Sequence, residues 1–406
     1  MIRKIALAVL LLAGAALIIV LTVVPGVMER RMNRVLAEPP YDTAVPAEVR
    51  AVHDRLSLVD AHADTLLWQR DITKRSERGH VDLPRLLQGG VTLQIFSAVT
   101  YAPGGQNYER NAKQNDQLTL LMMAQARAPS AWFSEKGRAL SQARALHRTA
   151  AADPRLMLIK TRQDLADLLA ARKQGQAIVG GLLALEGAHA IEGQLSSLET
   201  LYEAGYRMVG LTHFFDNEVA GSAHGLTKGG LTDLGRDLVA WAENRGMIID
   251  LAHASPTTID QVLALADRPV VVSHTGVKGT CDNVRNLSDA HIKGIAATGG
   301  VVSIGYWDQA VCDASAAGVV SAMLYVRDLV GPEHVGLGSD FDGAVMPPFD
   351  TTGLIRITQE LMARGVPEAE IRQMTGGAML AVLARTLPDE TADPGAAPAA
   401  ASSPPS

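Results

Sequence analysis

Six short stretches of the chain end in residues that could bind a metal ion or carry a proton. The first reads Asp60-Ala61-His62-Ala63-Asp64, and the others end at Glu186, His213, His253, His274 and Asp340. Taken singly, none is informative. A histidine after an apolar run is most often a satisfied core or loop residue, and an aspartate there most often caps a helix. The joint placement carries the signal, because strands of one polarity would bring all six ends to a single pocket. His62 and Asp64 stand at i and i+2, so both can face the same side of an extended segment. Imidazole and carboxylate suit Zn²⁺, and the lack of cysteine among them argues against a thiolate structural site. Such a set points to hydrolysis, since bound zinc lowers the pKa of water to about 7 and makes a nucleophile able to attack an amide. Two zinc ions bridged by a carboxylate would hold hydroxide between them and polarise the scissile carbonyl. Glu186 is the obvious bridge. No lysine ends the third run, which argues against a carboxylated lysine in that place. His53, His80, His147, His224, His291 and His334 receive no role.

The elements that must position these residues follow a repeating order of apolar run, polar landing residue and helix. The runs are 56–61, 91–97, 178–186, 206–212, 247–252, 269–273, 299–305 and 334–339. Short, continuously apolar runs suit parallel strands buried on both faces. Helical patterns connect them, as in 232–245 and 256–267, the second opening with Ser255 as N-cap and Pro256 at the first helical position. Eight strands alternating with helices predict an α/β fold, a closed (β/α)8 barrel, with an open doubly wound sheet as the structural rival. The long gap between the second and third runs reads as a helical insertion over about residues 100–175, with helices at 107–127 and 134–150.

The rest of the composition narrows the class. The chain has 406 residues, 47% of them hydrophobic, and a formal net charge of −6 without a basic block, while aromatics are only 4%. Nothing here asks for nucleic acid. No phosphate loop, Gly-x-Ser-x-Gly elbow or strand-end cysteine nucleophile is present. Ile5 to Met28 carry no charge, long enough for a membrane-spanning helix of about 20 residues. The segment 1–28 therefore reads as a transmembrane anchor, with a cleaved signal peptide as the alternative. Residues 29–50 read as a linker, 51–387 as the catalytic domain, and 388–406, rich in Ala, Pro and Ser, as a disordered tail. Cys281 and Cys312 are two buried thiols or, if the domain is exported, one disulfide.

These residues resemble the membrane dipeptidases, the renal dipeptidase type of dinuclear zinc peptidases, over roughly residues 56–385. Five stretches carry the likeness: Val59–Asp64, Leu185-Glu186-Gly187-Ala188-His189, Leu211-Thr212-His213, Ile249–Ser255 and Val272-Ser273-His274-Thr275. Cys281–Asn286 and Gly338–Gly343 extend it. The resemblance implies that His62 and Asp64 bind one zinc, that His253 and His274 bind a second, and that Glu186 bridges them. His213 would contact the substrate and stabilise the oxyanion. Arg285 would pair with the dipeptide carboxylate, and Asp340 would carry a proton from the attacking water to the leaving amine. It also implies tolerance of a C-terminal D-residue, a Cys281–Cys312 disulfide, an extracytoplasmic (periplasmic) domain and pairing as a homodimer. Two stretches depart from the family pattern, Ser321–Tyr325 and Gly376-Gly377-Ala378-Met379, both at positions expected to affect packing. A β-lactam or N-acyl-D-amino-acid hydrolase using the same site is the alternative reaction. A non-catalytic membrane-anchored binding protein is the alternative class, which the retention of all five metal ligands disfavours.

Overall fold

The computed structural model describes residues 3–7, 11, 14, 19, 21 and 23–389 of the chain. Nine parallel strands form its sheet: β1 (Leu58–Ala63), β2 (Val91–Val99), β3 (Leu156–Leu158), β4 (Val179–Glu186), β5 (Tyr206–Gly210), β6 (Ile248–Asp250), β7 (Val271–Thr275), β8 (Val301–Ile304) and β9 (Val335–Leu337). Eight of them close a barrel, because β1 pairs with both β2 and β9 while β2 also pairs with β4. All eight expected apolar runs are strands of this barrel. β3 lies outside the ring. It pairs with β4 only over Val179–Gly181, the part of that edge which β5, starting its register at Leu183, leaves uncovered.

Every residue of β1, β2 and β4 is buried, as expected for strands with a filled interior on one side and helices on the other. The interior is packed by Val59, Ala61, Leu93, Ile95, Leu182 and Ala184 with their neighbours, and Met379, Val382 and Leu383 of helix Ala378–Thr386 join the same cluster. Glu186 continues the alternation of Leu182 and Ala184, which places its carboxylate on the barrel's inner side. The helices begin as the sequence predicts. Ser255 accepts the N–H of Thr258 ahead of Pro256, and Thr232 caps helix Asp233–Arg245, which ends on left-handed Gly246.

Several stretches differ from expectation. Helix Glu135–Ala152 is present, capped by Ser134, but 107–127 is helical only at Leu118–Ala124. Before that, the Asn107 side chain accepts the N–H groups of Glu109 and Arg110 and turns the chain instead, a local competition with helix typical of Asn. Helix α1 (Val24–Met32) runs across the expected boundary between anchor and linker, and its Glu29 is buried. Among the described residues, no helix is long and apolar enough to cross a membrane. Residues 8–10, 12, 13, 15–18, 20 and 22 of the expected span, and all but the first two residues of the expected tail, lie outside the described residues. Of the departures, Ser321–Tyr325 lies in helix Ala316–Val330, which buries Ala322 and Met323. At Gly376 a side chain would strike the Ser57 carbonyl.

Candidate metal centre

Six of the eight barrel strands deliver His62, Asp64, Glu186, His213, His253, His274 and Asp340 to one end of the barrel. Glu186 Oε1 is the common point. It lies 3.5 Å from His62 Nε2, 3.4 Å from His213 Nε2, 3.2 Å from His253 Nε2 and 3.5 Å from His274 Nε2. His62 Nε2 is 3.4 Å from Asp64 Oδ1 and 3.9 Å from Asp340 Oδ1, and the Nε2 atoms of His253 and His274 are 3.0 Å apart. Every one of these side chains is buried.

The backbone is bent to make this convergence. His253 and Asp340 both take the left-handed conformation, with φ of 62° and 58°, as do Asp342 and Ala344 just after. Non-glycine residues held there are uncommon, and such strain collects where a side chain must be aimed. Asp64 stays beside Asp340 because its N–H donates to the Phe341 carbonyl at 2.8 Å.

The electrostatics call for positive charge at the centre. Burial is the chief cause that raises the carboxyls of Glu186, Asp64 and Asp340 well above their ordinary range; the charge of Asp64 adds to the effect at Glu186 and Asp340, and that of Asp342 at Asp64. Burial likewise holds the imidazoles of His213, His253 and His274 well below theirs, in the neutral form. Neutral imidazoles are the form that ligates metal. His62 Nε2, Asp64 Oδ1 and Glu186 Oε2 are buried without any hydrogen-bond partner, a costly arrangement for polar atoms unless a ligand satisfies them. Donor atoms of His62, Asp64 and Glu186 lie within 4.8 Å of one another, as do those of Glu186, His213 and His253, and those of His62, His274 and Asp340. The set fits divalent cations held by nitrogen and oxygen.

A supporting layer fixes these side chains. Ser273 Oγ lies 3.1 Å from His62 Nδ1 and 3.0 Å from His274 Nδ1. With both Nε2 atoms turned to the centre, both Nδ1–H groups can donate to this one hydroxyl. Asp60 accepts the backbone N–H and the hydroxyl of Ser339 and the amide of Gln94, tying β1 to the turn that carries Asp340.

The centre opens into a cavity of about 550 Å³ lined by Asp64, Glu186, His213, His253 and Asp340 among others. His62 and His274 lie behind that lining. Arg285 is also buried, donating to the His274 carbonyl at 2.6 Å and to Thr275 Oγ1 at 3.2 Å, with its guanidinium 6.0 Å from the Trp307 ring. Its Nε–H has no partner. The loop that bears it is stapled to the loop after β8 by the Cys281–Cys312 disulfide and by Asn286, which donates to the Ala310 carbonyl at 2.9 Å.

The family model for the membrane dipeptidases (Peptidase family M19) matches residues 46–392. This chain belongs to the membrane dipeptidase family. It is a hydrolase of the metallopeptidase class that acts on dipeptides. Dipeptidase aclJ of Aspergillus oryzae is 30% identical over 362 residues, covering 82% of this chain and 81% of that protein. Among solved structures, a dipeptidase AC metallo peptidase of family M19 superposes with a TM-score of 0.67 at 25% identity, over 82% of this chain and 99% of the other. A metallo peptidase from Rhodobacter sphaeroides, liganded with a phosphinate mimic of the dipeptide L-Ala-D-Ala, gives 0.64 at 26%, over the same shares.

The structure also brings to the site residues to which the sequence assigns no part. His224 stacks on Phe214 at 4.5 Å and lies 5.2 Å from the ring of His253. Its imidazole is held down to about 3, mainly by burial and then by the charge of Arg285. Tyr108 and Trp307 meet over the cavity through a 2.8 Å hydrogen bond from the indole N–H to the phenol oxygen. Ser273 is visible in the sequence only as the neighbour of His274, and nothing there ties His224 to the clustered histidines and carboxylates.

Proposed function

We propose that this dipeptidase works with two zinc ions, one held by His62, Asp64 and Glu186 and the other by Glu186, His253 and His274. The observation that carries this reading is the meeting of four imidazole Nε2 atoms on Glu186 Oε1, with Asp64 Oδ1 and Glu186 Oε2 unpartnered beside them. Bound zinc would lower the pKa of water to about 7 and polarise the scissile carbonyl. The chain's own residues do the rest. His213 lines the cavity and offers its imidazole to the carbonyl oxygen as charge gathers there. Asp340, also in the lining, takes the proton released when water adds to the amide carbon and passes it to the amine as the C–N bond breaks. Arg285 holds the substrate's free carboxylate, for which its unpartnered Nε–H is the spare donor.

The reading extends to dipeptides with a D-residue at the C-terminus, supported by the relative bound to a mimic of L-Ala-D-Ala. It also puts the domain outside the cytoplasm on an N-terminal anchor that ends where α1 begins, with the apolar composition of residues 5–23 and the disulfide as support. A panel of Gly-L-Ala, L-Ala-L-Ala, L-Ala-D-Ala, an N-acyl-D-amino acid and a carbapenem, assayed with zinc, tests the reaction. Turnover of the dipeptides, including L-Ala-D-Ala, is expected. Turnover of the N-acyl-D-amino acid or the carbapenem alone would replace this reading with the alternative hydrolase.

A further inference from the structure

Helix α1 and the residues after it lie against the mouth of the catalytic cavity, at some distance in sequence from every metal ligand. Met28, Met32 and Leu36 line the same cavity as Glu186 and Asp340, where they join Leu118, Leu121 and Met346. These three side chains are 37%, 41% and 56% exposed, so a ligand resting on them would remove apolar surface from water.

The segment is fastened in place. Glu29, 2% exposed, takes Arg70 Nε at 2.8 Å and Arg78 Nε at 2.6 Å. Asn33 Oδ1 accepts the N–H of Ala344 at 2.9 Å, and Leu36 donates its N–H to the Pro347 carbonyl at 2.9 Å. Arg70 also pairs with Asp342, two residues beyond Asp340. The helix is thus tied to the turn that carries Asp340, whereas Arg285 lies behind the lining, against Trp307 of the loop after β8.

We propose that residues 24–37 form the subsite for the side chain of the substrate's amino-terminal residue, and that Met28 and Met32 select a long apolar side chain there. The inference rests on the dipeptidase reading, in which Arg285 takes the carboxylate end and leaves the amino-terminal end to face α1. A flexible methionine pair suits a family of unbranched and branched apolar side chains better than one shape. The preference is modest by nature, because one methylene in an apolar pocket changes kcat/KM by about 10- to 200-fold.

The test uses the purified full chain with zinc and compares kcat/KM for L-Leu-L-Ala, Gly-L-Ala and L-Lys-L-Ala. In the double variant Met28→Ser, Met32→Ser the ratio of L-Leu-L-Ala to Gly-L-Ala falls about tenfold, mainly through KM. In Met32→Glu the ratio of L-Lys-L-Ala to L-Leu-L-Ala rises about tenfold, a gain that a misfolded variant cannot produce. Ratios unchanged in both variants, with the wild type active, overturn the subsite alone. Wild-type protein that turns over none of the three substrates overturns the reaction on which it rests.

Discussion

Ser273 illustrates how much of a metal site lies outside its ligands. One hydroxyl stands between the Nδ1 atoms of His62 and His274, so it sets the orientation of a ligand on each proposed ion. Loss of such a partner costs about 10- to 100-fold in metal affinity. Ser273→Ala is expected to weaken zinc binding by that factor in a chelator competition, with turnover near normal once zinc saturates. Unchanged affinity would mean that the rings are held by packing alone. The carboxylates divide by role. Glu186→Gln should lose both metal and activity, since its Oε1 is the shared contact. Asp340→Asn should keep the metal and lower kcat by about 10²- to 10⁴-fold, the contribution of a positioned proton carrier. Metal content and kcat measured on the same preparations separate the two. Arg285→Ala should keep the metal as well and raise KM for dipeptides. An unchanged KM would remove the carboxylate role from Arg285.

Among the elements, α1 makes the sharpest prediction. Its buried Glu29 takes both Arg70 and Arg78; Arg70 also keeps Asp342 and Arg78 is partly exposed, so losing Glu29 costs less than the roughly 3–5 kcal/mol of a fully buried charge left unpaired. The helix can relieve that cost by lifting away, because its other ties are a few hydrogen bonds to 344–348. Glu29→Ala is therefore expected to speed amide exchange in residues 24–37 by tenfold or more, with little change in the exchange of the barrel strands. Uniform protection in the variant would show that the ion pair does not hold the helix. The sequence made the barrel legible for a physical reason: strands buried on both faces leave unbroken apolar runs, and all eight stood out. β3 escaped notice because three residues, Leu156–Leu158, are too few to carry a period. The 107–117 stretch misled because its composition permits a helix, while Asn107 turns it with side-chain hydrogen bonds that periodicity does not record. The residues proposed to hold metal were legible as strand-end residues, which the barrel brings to one end, and the matching family stretches reinforced them. Phe214, Trp307, Tyr108 and α1 were not, because an apolar residue gives no sign of whether it meets a helix or a substrate.

The molecule as a whole carries an acid sensitivity apart from the proposed metal centre. His80 is buried, accepts the Asp342 N–H on Nδ1 at 2.9 Å, and is held down to about 4, chiefly by burial. His189, hydrogen-bonded to Thr100, is held down to about 3 for the same reason. In the unfolded chain both take a proton near pH 6.5, so the unfolded state binds more protons below that pH. The stability they contribute is present above about 6.5 and is lost as pH falls toward 4 for His80 and toward 3 for His189, at up to about 1.4 kcal/mol per pH unit for each. His80→Asn, which keeps an acceptor for the Asp342 N–H, should show a smaller drop in urea midpoint between pH 7 and pH 5 than the wild type. An equal drop would remove His80 from the account. The central claim is that one end of the barrel holds a pair of cations bridged by Glu186. An anomalous-scattering map from zinc-loaded crystals tests it most directly. Two peaks about 3.5–4 Å apart are expected, one within about 2.0–2.2 Å of His62, Asp64 and Glu186 and the other within that reach of Glu186, His253 and His274. A single peak, or peaks away from Glu186, would contradict it.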